Sequence, residues 1–403
     1  MADIAVLGFG VVGSGTVEVF DKNSDIITQR AGQSIRIKYI LDIRDFSGSP
    51  YETLFIKDFE TIENDPDVTV VVEVIGGVGA AYDFTKRSLA AGKSVVTSNK
   101  ELVATRGHEL TNLAVENGVN YLFEASVGGG IPVIRPLAQC LSANKMTEIY
   151  GILNGTTNFI LTEMIKNGAE FSDALLDAQK KGYAEADPSA DIKGHDVCRK
   201  ICILSVVSFG RQLHPDQVPV AGIEGVTKED VLFAGRLGYK IKLLGRARLT
   251  GDRIAAYVAP HLVGFDHMLA GVEGVMNGIV ARGNMVGDVM FYGAGAGKMP
   301  TASAVAADVI DAVKHHRTRK LIKWADGGAD TVSNPALLES AWYIRTDAAR
   351  EKIGREFGEV IFAPEAEGPI RAFKTPVMDE EKVRSLLGRG INALSLFRVL
   401  GDH

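Results

Sequence analysis

Little in this chain would tie it to an oxidising compartment, a nucleic acid or a membrane. Cysteine is scarce: Cys140, Cys198 and Cys202 are three residues among 403, too few for a disulfide framework. Cys198 and Cys202 stand four apart in an expected helix, where buried thiols behave as small hydrophobes. No second Cys or His pair stands at ligand spacing to make a metal site with them. Positive charge is not in excess, and a formal net charge of −6 gives no footprint for nucleic acid. The longest basic run, His315-His316-Arg317-Thr318-Arg319-Lys320, reads as a helix C-terminus, where cations meet the negative dipole end. No apolar run approaches the roughly 20 residues that span a bilayer. The N-terminal Met1-Ala2-Asp3-Ile4-Ala5-Val6-Leu7-Gly8 enters a strand without the basic stretch of a signal peptide. A cytosolic protein is the expectation.

Glycine, by contrast, is abundant at 44 residues, which predicts tight turns and close backbone approaches to a ligand. The length calls for two or three domains. Over residues 1–130, strands at 3–7, 35–42, 68–75, 94–97 and 120–123 alternate with helices at 11–29, 80–91 and 100–116. Near-continuous β-branched runs between helices predict a parallel sheet covered on both faces. Right-handed crossovers make this an α/β, Rossmann-type doubly wound domain. A strand at 147–153, helices at 156–166, 172–181 and 195–209, and strand-like runs at 241–249 and 253–259 indicate a second, mixed α/β domain over 131–300. A helix over 301–320 with a Gly-rich linker to 330 follows. Residues 340–403 then have the order strand, helix, strand, strand, helix, strand, the pattern of a small ferredoxin-like third domain.

The first chemical signal is Gly8-Phe9-Gly10-Val11-Val12-Gly13. G-x-G-x-x-G alone is weak, but here it follows an apolar strand and opens an amphipathic helix, the context a dinucleotide site requires. The first glycine permits the turn, the second lets backbone approach a pyrophosphate, and the third packs helix on strand. The helix N-terminus supplies N–H groups and partial positive charge. After the second strand, Leu41-Asp42-Ile43-Arg44-Asp45 offers both an acid for a ribose diol and an arginine for a 2′-phosphate, which Lys57 could also reach. The balance favours NADP, with NAD as the alternative.

Three more segments carry chemistry. Val96-Thr97-Ser98-Asn99-Lys100 ends a strand at the edge where open α/β sheets bind ligands. Asn154-Gly155-Thr156-Thr157-Asn158 runs from a strand into a helix N-terminus that offers N–H groups and hydroxyls to an anion. The block from Gly182 through Tyr183, Glu185, Asp187, Asp191 and Asp196 to Lys200 gathers carboxylates and a lysine at the start of an otherwise apolar helix. Asp196 and Lys200 lie at i and i+4 on one face. That face continues into Ile203 and Val207, which need burial, so the pair belongs at the mouth of a core helix and not on a solvated surface.

Together these segments resemble homoserine dehydrogenase, the pyridine-nucleotide enzyme that interconverts aspartate 4-semialdehyde and homoserine, from Gly8 to about Lys320. Glu73-Val74-Ile75-Gly76-Gly77 and Gly293-Ala294-Gly295-Ala296-Gly297 extend the likeness. It implies that Lys200 gives a proton to the carbonyl oxygen, with Asp196 beside it at the substrate. Glu185 and Asp191 would hold the substrate's polar groups, its ammonium included, and Gly155, Thr156 and Tyr183 would line the same pocket. Lys100 would stand near nicotinamide and substrate. Ile75, Gly76 and Ser98 would lie along the cofactor, and Gly295, Ala296 and Gly297 would meet it from the far side. The family's sodium site would use the backbone carbonyls of Glu124, Val127, Gly129 and Ile131. The second domain would bind substrate and form a homodimer, and helix 301–320 would return to the nucleotide domain. The chemistry agrees independently. Reducing an aldehyde needs a hydride donor and a proton donor, and an amino acid needs acids for its ammonium and N–H or hydroxyl donors for its carboxylate.

Two features depart from relatives. The nucleotide strand begins at Asp3, so a monofunctional form without an aspartate kinase is expected. The C-terminal segment is similar to ACT domains in element order, yet Ala348-Ala349-Arg350-Glu351 follows Asp347 in place of the usual Pro-Gly turn. A structural or dimerising tail is therefore an equal reading to threonine binding there. Another amino-acid dehydrogenase on this scaffold, and a nucleotide sensor without turnover, are the rival functions. The sensor predicts an acid or lysine lost from the 185–200 block, and none is lost.

Overall fold

A computed structural model describes residues 1–316, 318, 324–364 and 368–401. The first sheet contains β1 (Ala2–Leu7), β2 (Ile35–Leu41), β3 (Phe55–Ile56), β4 (Val68–Glu73), β5 (Ser94–Thr97) and β6 (Tyr121–Leu122). Its order is β3-β2-β1-β4-β5-β6, with every pairing parallel. The direction of winding reverses between β1 and β4, which opens a crevice at the carboxyl ends of those strands. The mainly apolar β1 and β4 are buried on both faces, Thr69 of β4 alone being partly exposed. The helix expected over 11–29 is in fact two, Val11–Lys22 and Ser24–Ala31, which meet at Asn23. Asparagine is a poor helix interior residue, and here its backbone leaves the helical region (φ −114°, ψ 22°).

The second sheet has nine strands: β7 (Met146–Ile152), β8 (Tyr239–Thr250), β9 (Arg253–Gly264), β10 (Met276–Gly283), β11 (Gly287–Ala294), β12 (Trp342–Thr346), β13 (Ile361–Phe362), β14 (Arg371–Lys374) and β15 (Ala393–Leu400). They run in the order β11-β10-β7-β8-β9-β15-β12-β14-β13. The last four strands follow the ferredoxin-like arrangement that their β-α-β-β-α-β order predicts. However, β15 also pairs in parallel with β9, Arg398 opposite His261, so the C-terminal strands extend the sheet of the preceding segment. A buried carboxylate reinforces this seam. Asp230 accepts from Arg345, Tyr343 and Ser395 across it, at 2.7, 3.1 and 2.9 Å. Strands β10 and β11 escape a pattern reading because Gly278, Gly283, Gly287 and Gly293 interrupt their alternation.

Helix His195–Phe209 lies against this sheet with Val197, Ile201 and Leu204 fully buried. Helix Gly155–Asn167 starts directly off β7. Helix Lys298–Lys314 leaves the second sheet after β11 and packs on helix Val11–Lys22 and on the first sheet, which ties the two halves together. It ends at Lys314, short of the expected 320. Arg317, Arg319 and Lys320 of the basic run lie outside the described residues. No helix among the described residues is long and apolar enough to cross a membrane.

Candidate active site

The glycine turn is built as its spacing requires. Gly8 adopts φ +95°, and a Cβ on Gly13 would stand 1.9 Å from the Gly8 carbonyl oxygen, so helix and strand approach only without a side chain there. A Cβ on Gly10 would meet nothing within 4 Å, so that side faces open space. Gly10 is the N-cap of helix Val11–Lys22, with no side-chain cap and no acid in the first turn. Its leading N–H groups are thus left for an anion. Val11 points outward, while Val12 packs into the core beside β1.

At the far end of this turn the expected acid and both cations converge, bonded to one another. The Asp42 carboxylate accepts the Phe9 N–H at 2.7 Å and the Arg44 guanidinium at 3.0 and 2.8 Å. Arg44 above all, helped by backbone N–H groups, holds the Asp42 carboxyl well below the ordinary carboxylate range. Lys57 donates to the backbone oxygens of Asp42 (2.9 Å) and Arg44. The Phe9 ring packs edge-on against Phe46 and Phe55, and Arg44 lies over Phe46.

Along the crevice, Ile75 and Gly76 are exposed beyond β4, and Ser98 is half-buried beyond β5. Lys100 opens helix Lys100–Glu116, which Asn99 caps through the Leu102 N–H at 3.1 Å. Its ammonium crosses to the other half of the molecule and pairs with Asp196 Oδ1.

The opposite wall is made by helix His195–Phe209 and the end of β7. Lys200, buried, donates to Asp196 Oδ2 and to the Leu153 carbonyl, both at 2.7 Å. Asn154 accepts the Thr157 N–H as helix cap. Its amide also donates to Asp191 Oδ1 at 2.7 Å and Asp196 Oδ2 at 2.9 Å. Burial acts to raise the Asp196 carboxyl, but Lys200, Lys100 and Asn154 outweigh it and hold the group far down. Burial lowers the Lys200 ammonium, and Asp196 restores only part of the loss. Asp191 moves up because burial exceeds the help from Asn154. The Thr156 hydroxyl is spent on the Tyr183 carbonyl at 2.6 Å, and Gly155 packs against Val275. Tyr183 and Glu185 are exposed at the rim.

The third wall is the loop after β11. A Cβ on Gly129 would stand 2.7 Å from the Gly295 carbonyl, and the Gly130 N–H donates to Ala294 O at 3.2 Å. Residues 295–297 therefore rest on the turn that follows β6, with Gly297 at φ +123° leading into helix Lys298–Lys314. In that turn Gly128 and Gly129 have φ +75° and +54°. The carbonyls of Val127, Gly129 and Ile131 accept no hydrogen bond among the described residues. The Glu124 carboxylate is occupied elsewhere, taking the N–H groups of Val133, Ile134 and Arg135 at 2.6–2.8 Å. The Glu124 N–H donates to Asp308, a fully buried acid that burial pushes up to about 7.

Sequence reasoning gave five of the residues at this site no role of their own. Asn154 appeared only within its motif, not as the clamp on two carboxylates. Glu73, Thr97 and Asn99 were named only inside the segments 73–77 and 96–100, not as a set joined under the rim by bonds from Thr97 to Glu73 and from Asn99 to Thr97. Asn277 on β10 is buried with both side-chain polar atoms unpartnered among the described residues. Its amide occupies the space a Cβ on Gly295 would need. A lone asparagine in a glycine-broken strand gave no signal.

Comparisons with known proteins show what this chain is similar to. The family description homoserine dehydrogenase matches residues 132–310, and homoserine dehydrogenase, NAD binding domain, matches residues 8–124. A homoserine dehydrogenase of Neisseria gonorrhoeae is 41% identical over 359 residues, 87% of this chain and 82% of its own. The crystal structure of a homoserine dehydrogenase from Thiobacillus denitrificans superposes with TM-score 0.90 at 35% identity, covering 100% of this chain and 99% of that one. A hyperthermophilic archaeal homoserine dehydrogenase in complex with NADPH superposes with TM-score 0.66 at 30% identity, over 77% of this chain and 97% of that one.

Proposed function

Because the chain belongs to the homoserine dehydrogenase family of NAD-binding oxidoreductases in amino-acid biosynthesis, we propose that it interconverts homoserine and aspartate 4-semialdehyde with Lys200 as the proton donor. The observation that carries this reading is the meeting of Lys100, from the nucleotide-side sheet, with Asp196 and Lys200 from the opposite wall. A bound nicotinamide dinucleotide supplies the hydride for the aldehyde carbon, or takes it back. The protonated Lys200 gives its proton to the carbonyl oxygen as that oxygen becomes an alkoxide, and the neutral amine takes it back in the reverse direction. Asp196 keeps the ammonium in place, and Asn154 keeps Asp196 from turning away. Asp191 and Glu185 hold the substrate ammonium from the rim, beside Gly155, Thr156 and Tyr183.

The glycine turn fits a dinucleotide through open space over Gly10 and an uncapped helix N-terminus. We assign it NADP. Arg44 and Lys57 flank the end of β2 where an adenosine 2′-phosphate would lie, and an archaeal relative was solved with NADPH. The turn after β6 suits a sodium ion: the carbonyls of Val127, Gly129 and Ile131, joined by that of Glu124, offer hard oxygen donors. No cluster of His, Cys, Asp or Glu capable of holding a metal stands among the described residues. A homodimer is supported by family likeness and by exposed Met285, Val286 and Tyr292 at the edge formed by β11. The experiment is a spectrophotometric assay of homoserine with NADP and NAD in parallel. Oxidation with a preference for NADP supports the reading, and absence of homoserine turnover with either overturns it.

A further inference from the structure

Beneath the nucleotide-side rim lies a buried carboxylate to which the proposed chemistry gives no task. Glu73 closes β4 and has no exposed surface. Its oxygens meet neutral donors, the Ile75 N–H at 2.8 Å and the Thr97 hydroxyl at 2.7 Å. No basic side chain pairs with it among the described residues. Burying a carboxylate without a cation is costly, and every other position of β4 is Val or Thr, so packing alone does not call for an acid.

The connections run in one direction. Through Ile75, Glu73 holds the turn after β4, where Gly76 and Gly77 have φ +89° and +68°. Through Thr97 it holds the turn after β5, since the Asn99 N–H donates to Thr97 Oγ1 at 2.9 Å. The Asn99 amide ties the two turns together by donating to the Gly77 carbonyl at 2.6 Å. The same Asn99 caps helix Lys100–Glu116, whose first residue is Lys100. Lys100 engages one oxygen of Asp196, and Lys200 holds the other. We infer that Glu73 is a positioning residue for the proton-transfer step, fixing through Thr97 and Asn99 where the Lys100 ammonium stands and hence how Asp196 is shared with Lys200. This inference rests on the assignment of Lys200 as proton donor. Burial raises the Glu73 carboxyl above its ordinary value, with Thr97 and Ile75 opposing. The site therefore keeps an acceptor that only its donors stabilise.

Glu73→Gln preserves shape but exchanges one accepting oxygen for an NH2, so either the Ile75 N–H loses its acceptor or the Thr97 hydroxyl, which already accepts from Asn99, must turn from donor to acceptor. The test measures kcat, KM for homoserine, nucleotide Kd and Tm in the wild type, Glu73→Gln, Lys100→Met and the double variant. Glu73→Gln should lower kcat by about ten- to a hundredfold, the scale of a misplaced group, with nucleotide Kd changed by less than about twofold. In the Lys100→Met background the same substitution should cost nothing further in kcat. Thr97→Val should reproduce the loss, and Thr97→Ser, which keeps the hydroxyl, should not. An equal loss in both Lys100 backgrounds, or an unchanged kcat in Glu73→Gln, overturns the inference. Should Glu73→Gln fail to fold, the two Thr97 variants in both Lys100 backgrounds decide by the same criterion. Lys200→Ala is assayed in parallel. Undiminished turnover in that variant would remove the proton-donor reading, whereas the Lys100 cycle reports separately on whether Glu73 acts through Lys100.

Discussion

Two carboxylate–cation pairs sit at opposite ends of the crevice and differ in what they are free to do. At one end, the Arg44 guanidinium makes two hydrogen bonds to Asp42 while the Arg44 side chain is 56% exposed. At the other, Asp196 and Lys200 are 4% and 10% exposed, with Asn154 and Leu153 completing their bonds. Arg44 is the exposed, solvent-screened member of its pair, so its guanidinium can turn to an arriving phosphate while the Phe9 N–H stays on the buried Asp42 carboxylate. A buried pair is different: removing one member leaves an uncompensated charge, which costs about 3–5 kcal/mol. The molecule thus keeps its adjustable recognition group at the surface and its proton-handling group buried among fixed partners, Lys100, Asn154 and the Leu153 carbonyl.

The sharpest way to break this contrast is at Lys200. Lys200→Ala should lower kcat by about 10²–10⁴-fold, the range of general acid–base catalysis, while nucleotide binding measured by fluorescence persists. Near-normal turnover would remove Lys200 from the chemistry. In the wild type, burial places the Lys200 ammonium below the ordinary 10.5. The alkaline limb of the aldehyde-reduction profile should accordingly fall below that pH, because the deprotonated amine has no proton to give.

Asp196→Asn should cost about 3 kcal/mol of stability at neutral pH by stranding the buried Lys200 ammonium, read by denaturant unfolding. The sign with pH follows from linkage. The folded-state value of Asp196 lies below the ordinary 3.8, so its contribution is complete above 3.8 and is lost as pH falls toward the folded value. The gap between wild type and variant should therefore close in acid. A gap that widened there would contradict the buried ion pair.

Smaller effects belong to the other end. Arg44→Ala should weaken NADPH by about tenfold, or about 1.4 kcal/mol, with NADH little changed and Tm nearly unmoved. Equal losses for both nucleotides would mean that Arg44 does not read the phosphate. Both side-chain polar atoms of Asn277 are buried without a partner among the described residues. Replacing a buried unpaired amide by an apolar side chain of similar size should raise stability by about 1 kcal/mol, so Asn277→Leu should unfold at a higher temperature than the wild type. A lower Tm would show that its amide is satisfied.

What the sequence revealed divides along physical lines. The parallel sheet was legible because β1 and β4 are mainly apolar runs, and the glycine turn because its three positions have separate steric duties. The Asp196–Lys200 pair was legible because i, i+4 spacing places both on the face that carries Ile203 and Val207 inward. Strands β10 and β11 were not, since four glycines erase their alternation. The break at Asn23 went unseen because residues on both sides continue a helical pattern. Contacts between segments distant in sequence, such as Lys100 with Asp196, β15 with β9, and Asn277 with Gly295, arise from tertiary packing that no local pattern encodes. The Asp42–Arg44 pair was visible as residues, but not as a bond between them.

The most direct test of the whole account is a crystal structure of the complex with a nicotinamide dinucleotide and homoserine. The account predicts the Lys200 Nζ within about 3 Å of the substrate's 4-hydroxyl oxygen, with Asp196 still holding the ammonium. A substrate whose hydroxyl points away while Lys200 remains on the Leu153 carbonyl would contradict it.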